Sequence, residues 1–151
     1  MKKVFVSGAF NVLHAGHIRF LADAKALGDY LIVSFPPADL LWKLYDRKSV
    51  LDDADKEAVI GALDSVDEVI LSTDDDEVLS FRSAVEQTKP DILAVTTDDR
   101  FMDAKRAFCA EQGIELVVLE KTLPDNVAKS GMQMLDRMKA PKHVPLRVDF
   151  A

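Results

Sequence analysis

Strand-like and helix-like stretches alternate along this chain, and the links between them are short. Residues 3–7 read as a short buried strand. Apolar residues at Ile18, Leu21, Ala22, Ala24 and Leu27 recur at helical spacing over residues 17–27, and Gly28 is the expected stop. Residues 30–35 form a second apolar strand, broken by Pro36-Pro37. Residues 38–50 read as a partly helical loop, and Asp52 or Asp53 is placed to cap a helix running to Leu63. A third strand covers residues 66–71, and Asp74-Asp75-Asp76 is expected to open a further helix, where acidic side chains suit the helix dipole. Strands at 92–95 and 115–119 flank a helix over 101–112 that Gly113 ends, and a last helix is expected over 126–138. Such alternation favours an α/β fold: one doubly wound, five-stranded parallel sheet of Rossmann-like type with right-handed crossovers. Its ligand then belongs at the carboxyl ends of the strands, at the switch point.

Length and composition are consistent with one domain. The chain has 151 residues, 48% of them hydrophobic, enough to bury a core and too many for a disordered chain. Residues 1–139 are read as the domain and 140–151 as a C-terminal tail, either a loose terminus or an arm packed on a neighbour. Acidic residues outnumber basic ones 26 to 19, giving a net charge of −7, so a nucleic-acid backbone is not the expected partner. No apolar run approaches the ~20 residues of a membrane span. The Met1-Lys2-Lys3 start has no signal-peptide core, so a cytoplasmic setting is the default expectation. The single cysteine, Cys109, excludes an internal disulfide and any cysteine-based zinc site within the chain.

Chemistry concentrates at the first strand-to-helix junction, Gly8-Ala9-Phe10-Asn11-Val12-Leu13-His14-Ala15-Gly16-His17. A helix N-terminus there offers unpaired N–H groups and partial positive charge to a phosphate. His14 and His17, three apart, can face one side and add donors that follow a triphosphate into its transition state. A metal would need a third ligand, and no neighbouring cysteine or HExxH pattern supplies one.

These residues resemble the G-x-F-D…H-x-G-H signature of the cytidylyltransferase-like nucleotidyltransferase superfamily, with Gly8-Ala9-Phe10-Asn11 and His14-Ala15-Gly16-His17 in register. The run from Ile18 to Val33 is similar to the first helix and second strand of glycerol-3-phosphate cytidylyltransferases. The resemblance implies strand order 3-2-1-4-5. It also implies that His14 and His17 stabilise charge on the α-phosphate, with Gly8, Ala9, Phe10, Asn11 and Gly16 lining the nucleotide site. Asn11 stands where family members usually have Asp, and a neutral amide there weakens any metal contact.

Further positions follow from the same resemblance. Lys43, Arg47 and Lys48 form a basic loop, of which Lys48 is chosen as the phosphate ligand. Lys56 occupies a position commonly held by Arg. Thr97, Asp98 and Asp99, after the fourth strand, are placed to reach the base or ribose, with the two aspartates placed equally to cap the next helix. Lys121, Lys129 and Ser130 are fragments of an R-T-x-G-I-S-T/S-T/S pattern that binds the β- and γ-phosphates. The implied activity is transfer of CMP from CTP, carried with Mg²⁺, to a phosphorylated small-molecule acceptor, releasing pyrophosphate. Two alternatives remain: an adenylyltransferase using ATP, and a nucleotide-binding module with little catalysis. Pairing into a homodimer is implied as well.

Overall fold

The computed structural model describes residues 1–121. The helix expected over 126–138 and the tail lie outside the described residues, as do Lys129 and Ser130. Among the described residues five strands are present: β1 (Lys3–Ser7), β2 (Tyr30–Phe35), β3 (Glu68–Leu71), β4 (Ile92–Thr96) and β5 (Glu115–Leu119). They lie in the order β3-β2-β1-β4-β5 with every pairing parallel. This is the doubly wound arrangement and the strand order set out above. β1 sits at the centre, paired with β2 from Lys3↔Tyr30 to Ser7↔Ser34 and with β4 through Val4↔Ile92 and Phe5↔Leu93. The chain winds outward from β1 to β3, then crosses back to β4, so the crevice between β1 and β4 is the switch point.

Both faces of the central strands are buried, which is why they read as unbroken apolar runs. Successive side chains alternate between two cores. Val4, Val6, Leu31, Val33, Phe35, Ile92 and Ala94 meet Leu21 and Ala24 of α1 (Ala15–Lys25) and Ile60 of α3 (Asp53–Gly61). Phe5, Ile32, Leu93 and Val95 meet Phe81, Ala84 and Val85 around α4 (Arg82–Thr88), and Phe108 and Cys109 of α5 (Met102–Gln112). Among the described residues, no helix is long and apolar enough to cross a membrane.

Several local expectations are corrected. The partly helical segment expected over 38–50 holds one helix, α2 (Ala38–Tyr45), followed by loop, and its first N–H, that of Ala38, donates to the Asp53 carboxylate at 2.8 Å. Asp52, not Asp53, caps α3, accepting from the Asp55 N–H at 2.7 Å. The acidic run at 74–76 does not open a helix: Asp76 accepts from the N–H groups of Val78 and Leu79, folding the chain into a turn. Asp74 reaches forward nine residues to accept from the backbone and hydroxyl of Ser83, so it serves α4 from a distance. Gly113 ends α5 in the left-handed conformation, as expected (φ 70°). Gly28 does not act this way. α1 closes at Ala26 in right-handed geometry, and Gly28 is needed because a Cβ there would stand 2.7 Å from the Lys2 carbonyl oxygen.

That contact is backbone against backbone and cannot be relieved by a side-chain rotation. Gly28→Ala is expected to cost about 1–3 kcal/mol and to lower Tm by roughly 3–10 °C. An unchanged thermal midpoint would show that the β1 start can shift freely.

Candidate active site

β1 ends at Ser7, and the Gly8 N–H donates to the Ser34 carbonyl at 3.1 Å, continuing the sheet by one residue. The chain then turns sharply at Phe10, whose φ of 45° is left-handed and unusual for a bulky residue. Its ring folds back over the turn and is almost fully buried. A Cβ on Gly8 would meet that ring at 3.0 Å, so the glycine follows from a close approach. Two contacts hold the turn from outside. Asn11 donates through Nδ2 to the Lys48 carbonyl at 2.9 Å and accepts from the Val50 N–H at 3.2 Å. The Lys56 ammonium, fully buried, donates to the Ala9 carbonyl at 3.0 Å and lies over the Phe35 ring.

His14 is the N-cap of α1. Its Nδ1 accepts from the Gly16 N–H at 3.1 Å, while its own N–H donates to Nδ1 of His17 at 3.3 Å. The two imidazoles thus form a reciprocal capping box, their centroids 4.0 Å apart, with the Phe10 ring edge-on to His17. Because both Nδ1 atoms accept, each neutral ring carries its proton on Nε2. The helix start therefore converts two histidines into two oriented Nε2–H donors.

Both rings are held neutral. Burial, then the neighbouring His14 and Lys121, push His17 down from 6.5 to about 4. Burial and Lys121 also lower His14. A phosphate that brings negative charge reverses this, since an anion favours the protonated form.

These groups line a cavity of about 280 Å³ between β1 and β4, with Gly8, Ala9, Phe10, Asn11 and Gly16 in its wall. Lys121 also lines it, and its ammonium donates to Asp98 at 2.9 Å. Asp98 also accepts from the Thr96 hydroxyl, and these bonds hold its carboxyl below the usual range.

Not every predicted residue converges. The Lys48 side chain is exposed and does not line this cavity; its carbonyl takes part instead, by accepting from Asn11. Arg47, one residue earlier, lines the cavity instead. Lys43 pairs with Asp75 on the surface. Thr97 is exposed and continues the β4–β5 ladder through its N–H, so Thr96 and Asp99, not Thr97 and Asp98, stand in the wall. Asp99 is in turn locked to Lys105 at 2.6 Å, a pair no sequence pattern announces. Among the described residues, no group of three or more His, Cys, Asp or Glu is gathered to hold a metal.

A parallel sheet with a cavity at its switch point, lined by two neutral histidines and a lysine, is the arrangement expected of a nucleotidyltransferase. Over residues 5–139 the chain matches the family described as cytidylyltransferase-like, and it belongs to that family. It is 37% identical over 101 residues to the FAD synthase of Ferroglobus placidus, an alignment covering 67% of this chain and 62% of that one. It is 29% identical to the FAD synthase of Picrophilus torridus, over 90% of this chain and 95% of the other. A solved structure described as a lipopolysaccharide core biosynthesis protein from Thermoplasma volcanium superposes with a TM-score of 0.66 at 28% identity. That superposition covers 83% of this chain and 99% of the other.

The depressed histidine makes stability depend on pH with a definite sign. Between pH 6.5 and about 4 the unfolded chain binds a proton that folded His17 refuses, so stability is full above this window and falls as pH drops through it. Denaturant unfolding across that range should show the slope, and His17→Gln should flatten it. An equal slope in the variant would mean that His17 is not buried as described.

Proposed function

We propose that the chain transfers AMP from ATP, rather than CMP from CTP, to a phosphorylated small-molecule acceptor, releasing pyrophosphate. The reciprocal histidine cap at the head of the β1–β4 cavity carries the transfer chemistry of this reading. Nucleotidyl transfer needs positioning and charge stabilisation more than a protein nucleophile. The acceptor's phosphate oxygen attacks the α-phosphorus, and the bond to the bridging oxygen of pyrophosphate breaks. His14 and His17 then donate through Nε2–H to oxygens that gain charge, and Lys121 balances the departing phosphates. Mg²⁺ would come bound to the nucleotide as part of the substrate. It would supply charge neutralisation on the phosphates.

The choice of ATP rests on the relatives named FAD synthase, since FAD contains an adenylyl group joined to a flavin phosphate. A flavin phosphate is therefore one acceptor to consider, and the Thermoplasma protein's description adds saccharide chemistry as another. CTP remains the competing donor.

Thermal shift and pyrophosphate release with Mg²⁺ and each of ATP, CTP, GTP and UTP decide the donor. ATP is expected to stabilise the protein most, because stabilisation grows with ligand over its dissociation constant. His17→Ala is expected to lose about 10²–10³-fold in kcat, the usual cost of one transition-state donor. Preferential stabilisation and turnover by CTP would restore the cytidylyl reading. Turnover untouched in His17→Ala would remove the histidines from the chemistry.

A further inference from the structure

Arg47 reaches the nucleotide cavity from a stretch of chain that burial does not hold. Residues 46–50 follow α2, and Asp46, Arg47, Lys48 and Val50 are all exposed. The geometry of such a loop falls to its hydrogen bonds. Yet the Arg47 side chain lines the cavity together with His14, His17 and Lys121. Two fixed points bracket it. On one side Asp46 closes α2 in the left-handed conformation (φ 53°), and its N–H donates to the Trp42 carbonyl at 3.0 Å. On the other side the Lys48 carbonyl accepts from Asn11 Nδ2 at 2.9 Å, and the Val50 N–H donates to Asn11 Oδ1 at 3.2 Å. We infer that Asn11 is a positioning residue, whose amide sets Arg47 against the phosphates of the bound nucleotide. The inference rests on the nucleotidyl-transfer reading above and adds to it a cation and the group that places that cation.

Connection comes first. One side chain ties the turn after β1, which leads into the histidine cap, to the loop that carries Arg47. Lys48 is the next residue, so a shift of its carbonyl turns the planar peptide that follows and with it the backbone on which the guanidinium is mounted. Charge agrees. Lys43 is paired with Asp75, Lys105 with Asp99 and Lys121 with Asp98, whereas Arg47 forms no ion pair among the described residues. Its guanidinium can meet phosphate oxygens two at a time.

The chemistry of the loop selects an amide. The loop presents one acceptor, the Lys48 carbonyl, and one donor, the Val50 N–H. Asparagine matches both, while an ionised carboxylate accepts at both ends and would set an oxygen against the Lys48 carbonyl oxygen. With the amide turned to the loop at both ends, the cation nearest it in the chain of contacts is Arg47.

Isothermal titration calorimetry of the whole chain tests this without an acceptor. The probes are Mg·ATP, Mg·CTP and magnesium tripolyphosphate, the last lacking base and ribose, and the proteins are wild type, Asn11→Ala, Arg47→Ala and the double variant. Arg47→Ala is expected to weaken ATP and tripolyphosphate about 10–100-fold, as for a lost charged hydrogen bond. Asn11→Ala is expected to weaken them by up to about 30-fold, the reach of two ordinary hydrogen bonds. The double variant should bind no worse than Arg47→Ala, because Asn11 acts through Arg47, whereas independent effects would add. Asn11→Asp should bind more weakly than wild type as well, and Asn11→Ser carries the cycle if the alanine variant does not fold. An unmoved affinity in either single variant, an unweakened Asn11→Asp, or additive losses in the double variant would overturn the inference and leave the donor reading intact. Tighter binding of CTP than of ATP would overturn the donor reading alone, since the cycle is read equally on tripolyphosphate. A wild-type protein that binds none of the three probes would overturn both.

Discussion

A buried ammonium under a carbonyl holds this site together. Lys56 is fully buried, and its nearest polar contact is the Ala9 carbonyl, 3.0 Å away. Taking an ammonium out of water costs several kcal/mol unless it is well partnered, and burial lowers its pKa accordingly. The contact is worth that cost because it fixes the hinge of the whole arrangement. Ala9 precedes the left-handed Phe10, Phe10 packs over Gly8 and against His17, and His17 completes the cap that sets both imidazole tautomers. An arginine could offer its fork, but only one oxygen is presented here, which a lysine point donor satisfies.

Asn11 illustrates the same logic from the other side of the loop. A carboxylate at this position would accept from Val50 but could not donate to the Lys48 carbonyl. The neutral amide uses both of its ends to tie the β1–α1 turn to the loop after α2. The departure from the family's usual acid thereby acquires a structural role, and Arg47 is carried on the loop that this clamp restrains.

The fold was largely legible because its evidence is local and periodic. The apolar runs mark the buried strands, and Gly113 and Asp52 mark helix ends by their own backbone chemistry. The order of the strands came from family resemblance, since periodicity does not rank strands. Reading failed where a residue's partner is remote. Gly28 looked like a cap but answers to Lys2 across the sheet, and the acids at 74–76 looked like a helix start but bond to the turn and to Ser83. In the site, His14, His17, Gly8 and Lys121 converge as their motif suggested. The exchange of Lys48 for Arg47 turns on one residue of loop phase after α2, and the choice of Asp99 over Asp98 on one residue of the turn after β4, which no spacing rule reports.

The central claim is that the two imidazoles, neutral and fixed as Nε2–H donors, meet the phosphates of the nucleotide. Histidine-selective NMR of the protein, titrated with pH in the absence and presence of Mg·ATP, tests it most directly. In the free protein His17 is expected to titrate with a midpoint near 4, with the proton on Nε2 in both rings. With nucleotide bound, both rings should shift and the His17 midpoint should rise. Saturation with nucleotide that leaves both rings and the His17 midpoint unmoved would contradict it.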